Sequence, residues 1–186
     1  MALSVIQSES INLADNFAFT GTVTGAGAAG FTKTAQTTTN GAATYTISGI
    51  PAGTSEIIVF GNAVDRGTST NRGVIQLGVS GGLETTGYTS CVAYSANGNI
   101  MYTNSVSDTG GVEYNVYGDP MNFVAHCWNT SGNKWMMTCT GNSNSGGRYW
   151  INAQVEKELS GTLDRVGLVD GVGTNFAGGS FQLWYN

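Results

Sequence analysis

The chain has 186 residues, a net charge of −5 and only 10% charged residues, against about 25% in ordinary globular domains. Disorder is excluded, because it needs high charge and few aromatics and this chain is 40% apolar and 10% aromatic. A nucleic-acid partner is excluded too: the basic residues Lys33, Arg66, Arg72, Lys134, Arg148, Lys157 and Arg165 nowhere cluster into a stripe that would neutralise phosphates.

In chain order, Met1 to Ile6 lacks a basic n-region, and Gln7, Ser8 and Glu9 cut the apolar stretch short. No secretory signal is therefore expected, and the product should be soluble and cytosolic when made. No apolar run reaches membrane-spanning length, so no membrane insertion is expected. Residues 1–42 read as an N-terminal attachment arm and flexible linker. Ile11 to Phe19 has period-two character, and Gly21 to Gly30 is rich in Gly, Ala and Thr. Residues 43–186 read as one β domain. Tyr45–Ile50 and Glu56–Phe60 flank Pro51-Ala52-Gly53, taken as a short turn between antiparallel strands. Further strands are expected at Gly73–Leu77, Tyr88–Tyr94, Asn122–Trp128, Lys134–Thr140, Tyr149–Ala153, Leu163–Val169 and Phe181–Tyr185. Asn129 to Asn133 joins two of them as a hairpin, with Phe123, Ala125 and Cys127 on one face and Trp135, Met137 and Cys139 on one face of the next strand. Ala153–Leu159 holds one helical turn at most. The spacing predicts an all-β sandwich or barrel. Its weakly charged surface needs protection from edge pairing, either by neighbouring subunits or by short, closed edges.

Chemistry is sparse. The single histidine, His126, lies off the apolar row beside Val124 and Trp128, and no GxSxG elbow accompanies it. One His without a Cys or carboxylate cluster makes no zinc site of the usual kind. Glu84, Asp108, Glu113 and Asp119 are too dispersed to nominate a glycosidase pair, and Glu156 and Glu158 read as a solvated face beside Lys157. Asp170 to Asn175 offers alternating oxygen donors but lacks the EF-hand pattern and reads as a Gly-rich turn. No catalytic residue, metal or cofactor is expected. Cys91, Cys127 and Cys139 each sit in a strand-like run and read as buried reduced thiols, with a Cys127–Cys139 bridge as the alternative. Tyr88, Tyr94, Tyr102, Tyr114, Tyr117, Trp128, Tyr149 and Trp150 lie near strand ends or in the polar loops around 95–120 and 141–150. Of these, Tyr94, Tyr102, Tyr114, Tyr117, Tyr149 and Trp150 are candidate glycan contacts, because a sugar's C–H face packs on an aromatic ring while its hydroxyls take hydrogen bonds. Core or subunit-interface packing is the competing role.

Three segments carry a resemblance. They are Ile50-Pro51-Ala52-Gly53 to Phe60, Ile75-Gln76-Leu77-Gly78-Val79-Ser80-Gly81-Gly82-Leu83-Glu84-Thr85-Thr86-Gly87-Tyr88, and Leu159-Ser160-Gly161-Thr162-Leu163-Asp164-Arg165 running on to Phe181-Gln182-Leu183-Trp184-Tyr185. Together they resemble a β-rich domain found at the ends of bacteriophage tail-fibre and other tail proteins. Asn12 to Gly27 is similar to a connecting motif of phage fibres. The resemblance implies an antiparallel jelly-roll-like β-sandwich, usually homotrimeric, with an extended N-terminal arm. It also implies a structural clamp from Glu84, Asp164 and Arg165, and no catalytic residues. The expected protein is a non-enzymatic virion component, a short tail-fibre or fibre-tip subunit assembled in the host cytoplasm. Ile11, Leu13, Phe17 and Phe19 would attach it to neighbouring virion proteins, and its loops would meet host surface glycan. The alternatives are a capsid decoration or cement protein, a collar or baseplate component, or a polysaccharide depolymerase. Such domains usually end longer proteins, whereas here only about forty residues precede the domain.

Overall fold

The computed structural model describes residues 30–67, 72–96, 99–103, 110–115, 120–143, 149–171 and 173–186. In chain order its strands are β1 Thr32–Lys33, β2 Thr37–Thr38, β3 Thr44–Ser48, β4 Glu56–Asp65, β5 Gly73–Val79, β6 Gly82–Leu83, β7 Tyr88–Ala96, β8 Asn99–Thr103, β9 Val112–Asn115, β10 Met121–Ser131, β11 Lys134–Ser143, β12 Trp150–Glu158, β13 Arg165–Asp170 and β14 Gly178–Tyr185. Every pairing is antiparallel. The larger sheet runs β1-β14-β4-β10-β11-β12-β7-β8, with β2 also on β14; the smaller runs β3-β13-β5-β6, with β9 also on β5. The result is the antiparallel β-sandwich class that the strand spacing predicts.

Alternation builds the core. In β10, Phe123, Ala125 and Cys127 are buried while Asn122 and Val124 are exposed; in β11, Trp135, Met137 and Cys139 are buried while Met136 and Thr140 are exposed. The two strands form the expected hairpin, and Asn129 Nδ2 donates to Gly132 O (2.7 Å) across its turn. Cys127 stands opposite Met137 and Cys139 opposite Ala125. Both thiols are free, so the alternative bridge is not made. Burial pushes the Cys127 thiol up to about 12 and the Cys139 thiol higher still. Cys91 departs from the expectation. It points out from β7 opposite Gln154 and is exposed.

Three local readings are corrected. Pro51-Ala52-Gly53 is a turn, with Thr54 N donating to Pro51 O (3.2 Å), but it does not close a hairpin. β3 pairs with β13 in the smaller sheet and β4 with β10 and β14 in the larger, so the turn carries the chain from one sheet to the other. A Pro-Gly turn fixes the reversal, not the partner of the strand that follows. Residues 153–158 are not helical but complete β12. Ile151, Ala153, Val155 and Lys157 are buried and Asn152, Gln154, Glu156 and Glu158 exposed, which is the period of a strand. The segment 95–120, expected as loop, contributes β8 and β9. Residues 30–42 lie along β14 through β1 and β2, and the buried Thr39 donates its hydroxyl to Gly178 O (2.7 Å).

β4 breaks phase near its C-terminal end. Ile57, Val59 and Gly61 face inward, Asn62 and Ala63 are both exposed, and Val64 is buried again. Pairing shifts register here against both β10 and β14. Ala63 takes a left-handed φ of 46°, which costs a residue with a Cβ about 1 kcal/mol. The Asn122 side chain holds the bulge by accepting the Ala63 N–H through Oδ1 (2.9 Å). Below it the Phe123 and Tyr114 rings pack with centroids 4.5 Å apart. Phe123 rests on Gly61 and Tyr114 on Gly73, where any Cβ would collide with the ring.

The sheets are tied by Tyr88 of β7, 1% exposed. Its hydroxyl accepts the Leu77 N–H of β5 (2.9 Å) and donates to Leu77 O (3.2 Å). Tyr88→Phe strands the Leu77 N–H in the core and is expected to lower stability by about 1–3 kcal/mol, read as a reduced urea midpoint with an unchanged m-value.

Candidate functional site

Two of the segments that carry the resemblance meet at one inter-sheet joint, through Glu84 and Tyr88 of one and Ser160 of the other. Lys157 is the inward member of β12 that is not apolar, with its side chain 6% exposed. A buried ammonium needs a partner, and Glu84, after β6, supplies it at 2.5 Å. Lys157 also lies over the Tyr88 ring, 5.3 Å from its centroid. Glu84 Oε1 accepts the Ser160 N–H (2.8 Å) and hydroxyl (2.6 Å). Burial pushes the Glu84 carboxyl up, but the hydrogen bonds from Lys157 and Ser160 outweigh it and hold the group below the usual carboxylate range. Gly87, with φ of 76°, leaves the space; a Cβ there would stand 3.3 Å from Lys157 Nζ. Arg165 makes a separate clamp, with Nη2 donating to Asp164 Oδ2 (2.8 Å) and to Ser80 O (2.8 Å). Glu84, Asp164 and Arg165 thus belong to two clamps, and Lys157, between the exposed Glu156 and Glu158 of the expected solvated face, is the buried centre of the first.

A second buried polar group lies elsewhere between the sheets. Arg66 pairs with Asp170 (3.7 Å), both side chains fully buried, and Asp170 accepts the Thr174 hydroxyl (2.9 Å). The oxygen-rich run after Asp170 therefore turns its carboxylate into the protein. Glu113 is buried and paired with Arg72 (2.5 Å). Burial raises its carboxyl, and Arg72 opposes the rise. Among the described residues no three His, Cys, Asp or Glu side chains gather as metal ligands would.

The surface with recognition chemistry is the outer face of the larger sheet. Side by side across β4, β10 and β11 it presents Glu56, Trp128 and Met136; then Ile58, His126 and Thr138; then Phe60, Val124 and Thr140; then Asn62, Asn122 and Asn142. His126 Nε2 contacts Glu56 Oε1, and its ring lies 4.1 Å from the Trp128 ring. Phe60 packs against Trp184 of β14 at 5.0 Å. Where the β4 bulge opens the face, a shallow groove of about 570 Å³ runs over Phe60 and Val124 between Asn62, Asn122, Thr140 and Asn142. Trp150 stands beside Asn142 on β12, 38% exposed.

The expected glycan contacts separate. Trp150 joins this face. Tyr149 is half-buried, and its carbonyl accepts the Ser143 N–H (2.9 Å). Tyr94 is half-buried against the core. Tyr114 is corrected: it is fully buried, because the inward position on β9 points it between the sheets, so it offers no surface to a sugar. Tyr102 lies on β8, with its side chain outside the described residues. Tyr117, and the arm's Ile11, Leu13, Phe17 and Phe19, lie outside the described residues, as do Asp108 and Asp119. The outer-face asparagines escaped the sequence reading because their strand positions looked like ordinary solvated residues. Only the run of amides at alternating places, Asn122 and Asn142 on paired strands, signalled them.

The chain matches no family model, no curated protein and no solved structure.

A folded-state pKa held below the unfolded value means that Glu84 stabilises the fold above the ordinary glutamate value of about 4.3. That contribution fades as the pH falls below it and through the lowered folded value. Glu84→Gln is expected to be less stable at neutral pH and to lose this part of the acid dependence. Urea midpoints between about pH 7 and about pH 3 check it; parallel curves for the two proteins would refute the linkage.

Proposed function

We propose that the protein is a non-enzymatic bacteriophage virion component, a short tail-fibre or fibre-tip subunit that recognises a host surface glycan. The observation that carries this reading is the groove end of the larger sheet's outer face, which is aromatic and amide-rich and without charge, the face's Glu56, Lys134, Glu156 and Glu158 lying toward the other end. Such a surface suits neutral, hydroxyl-rich ligands, which stack on rings and exchange hydrogen bonds with amides. It does not suit phosphates or acidic partners. The resemblance agrees with it: the motif residues Glu84, Tyr88 and Ser160 meet at a structural joint, as structural motif residues should. Glu84 and Glu113 are each held in an ion pair, which disfavours either as a depolymerase acid. In this reading the protein assembles as a homotrimer on the virion, its N-terminal segment meeting neighbouring tail or capsid proteins.

A purely structural place, as capsid decoration, collar or baseplate component, is the competing reading. It is favoured by the pairing of residues 30–42 along β14, a mode by which an arm fastens to a sheet. Purified protein is expected to bind host cells or their extracted surface polysaccharide saturably, as a trimer by mass photometry. Absence of binding, with free protein instead adding back to particles stripped of it, would replace the first reading with the second.

A further inference from the structure

We infer that the groove at the Asn62–Ala63 bulge is a binding subsite for one residue of a neutral saccharide, read by side chains of the sheet face and not by the loops. This inference rests on the glycan-recognition reading and names its contact surface and ligand class. The floor is apolar: Phe60 and Val124, the latter 42% exposed. The rim is amide and hydroxyl: Asn62, Asn122, Thr140 and Asn142. An amide offers one acceptor and one two-proton donor, the complement of the vicinal hydroxyls of a pyranose, whose C–H face would lie on the floor. Trp150 adds a flanking ring.

Charge decides among occupants. No acidic or basic side chain lines the groove, so neither an anionic sugar nor a nucleic acid finds a counter-charge. Topology decides against an extended peptide. The groove lies in mid-sheet over β4, β10 and β11, whose backbones are paired with one another, so no free edge is offered for strand addition. A second copy docking flat on the face would span the concavity and bury the amide rim without partners.

The bulge is the second, independent observation. It places a left-handed Ala63 in a central strand and turns two successive residues outward at the groove's lip. Strained backbone of this kind persists where the surroundings over-determine it, and it gathers at ligand sites. Here it is held by Asn122 Oδ1, which fixes the orientation of one rim amide. The subsite is thereby organised before any ligand arrives.

The test uses the full chain labelled with 15N, titrated with glucose, galactose, mannose and N-acetylglucosamine and, as charged comparators, glucuronate and sialic acid. Saturable shifts are expected with at least one neutral sugar and with neither anionic sugar, centred on the amides of Asn62, Asn122, Val124, Thr140 and Asn142 and on the Trp150 indole. The double variant Asn142→Ala, Thr140→Val changes exposed positions and should fold normally. It is expected to weaken binding roughly tenfold, the scale of a lost hydrogen bond or two. No saturable shift with any neutral sugar, shifts centred elsewhere, or undiminished binding by the folded double variant would each overturn the subsite. So would groove signals that move with protein concentration alone, which would mark a self-association face. Host-cell binding separates the two levels. If the double variant binds cells like the parent, the subsite falls and the reading stands; if the groove takes sugar while the protein ignores cells, the subsite stands and the reading falls.

Discussion

A single buried ammonium organises the joint between the two sheets. Lys157 occupies an inward place in a strand whose other inward residues are apolar, and burying it uncompensated would cost several kcal/mol. The fold meets that cost by bringing the β6–β7 connection over β12, so that Glu84 reaches the amine. The same connection delivers Tyr88 to the backbone of β5. Gly87 is needed because the chain must turn left-handed directly against the amine, and Ser160 is recruited to complete the carboxylate's hydrogen bonds. Much of the motif from Glu84 to Tyr88, with Ser160, is the consequence of one charge that must be matched.

Elsewhere the interior holds charge only in pairs, Arg66 with Asp170 and Glu113 with Arg72 among the described residues, and the surface divides its charge unevenly. The larger sheet covers its inner face with apolar rows; its outer face gathers Glu56, Lys134, Glu156 and Glu158 toward one end and leaves the groove end to aromatics, amides and hydroxyls. The groove end keeps little of the electrostatic repulsion that usually protects sheets from association. The bulge in β4 is part of the answer, since it roughens the face at its centre. The same bulge restores the inward orientation of Val64 opposite Met121 after two outward residues, so the core and the groove depend on one extra residue.

What alternation specifies was legible. The β10–β11 hairpin and both of its buried rows follow from a period of two, and the inward row of the hairpin is what the core uses. What depends on partners distant in the chain was not. Pro51-Ala52-Gly53 reads alike whether it closes a hairpin or crosses between sheets. Lys157 between Glu156 and Glu158 reads as solvated unless Glu84 is known to reach it. His126 reads as isolated because Glu56 lies 70 positions away. Tyr114 in a polar stretch looks like a surface ring, and only the pairing of β9 with β5 turns it inward. For the candidate site, Trp150 was legible as an aromatic beside a polar loop. The asparagine rim was not, since nothing local distinguishes a solvated strand asparagine from one standing over a groove.

The place of β14 has a consequence for how the protein is made. This strand, the last along the chain, lies inside the larger sheet, between β1 and β4. While a ribosome is still synthesising the region before it, β4 has β10 on one side and nothing on the other, and the segment at residues 32–38 has no strand to lie on. The sheet therefore cannot be completed strand by strand behind the ribosome. Until β14 has been made, β4 holds an open edge, and this is the interval in which unpaired strand edges aggregate. Closure of the larger sheet thus waits on β14 and brings the segment at residues 32–38 into place with it.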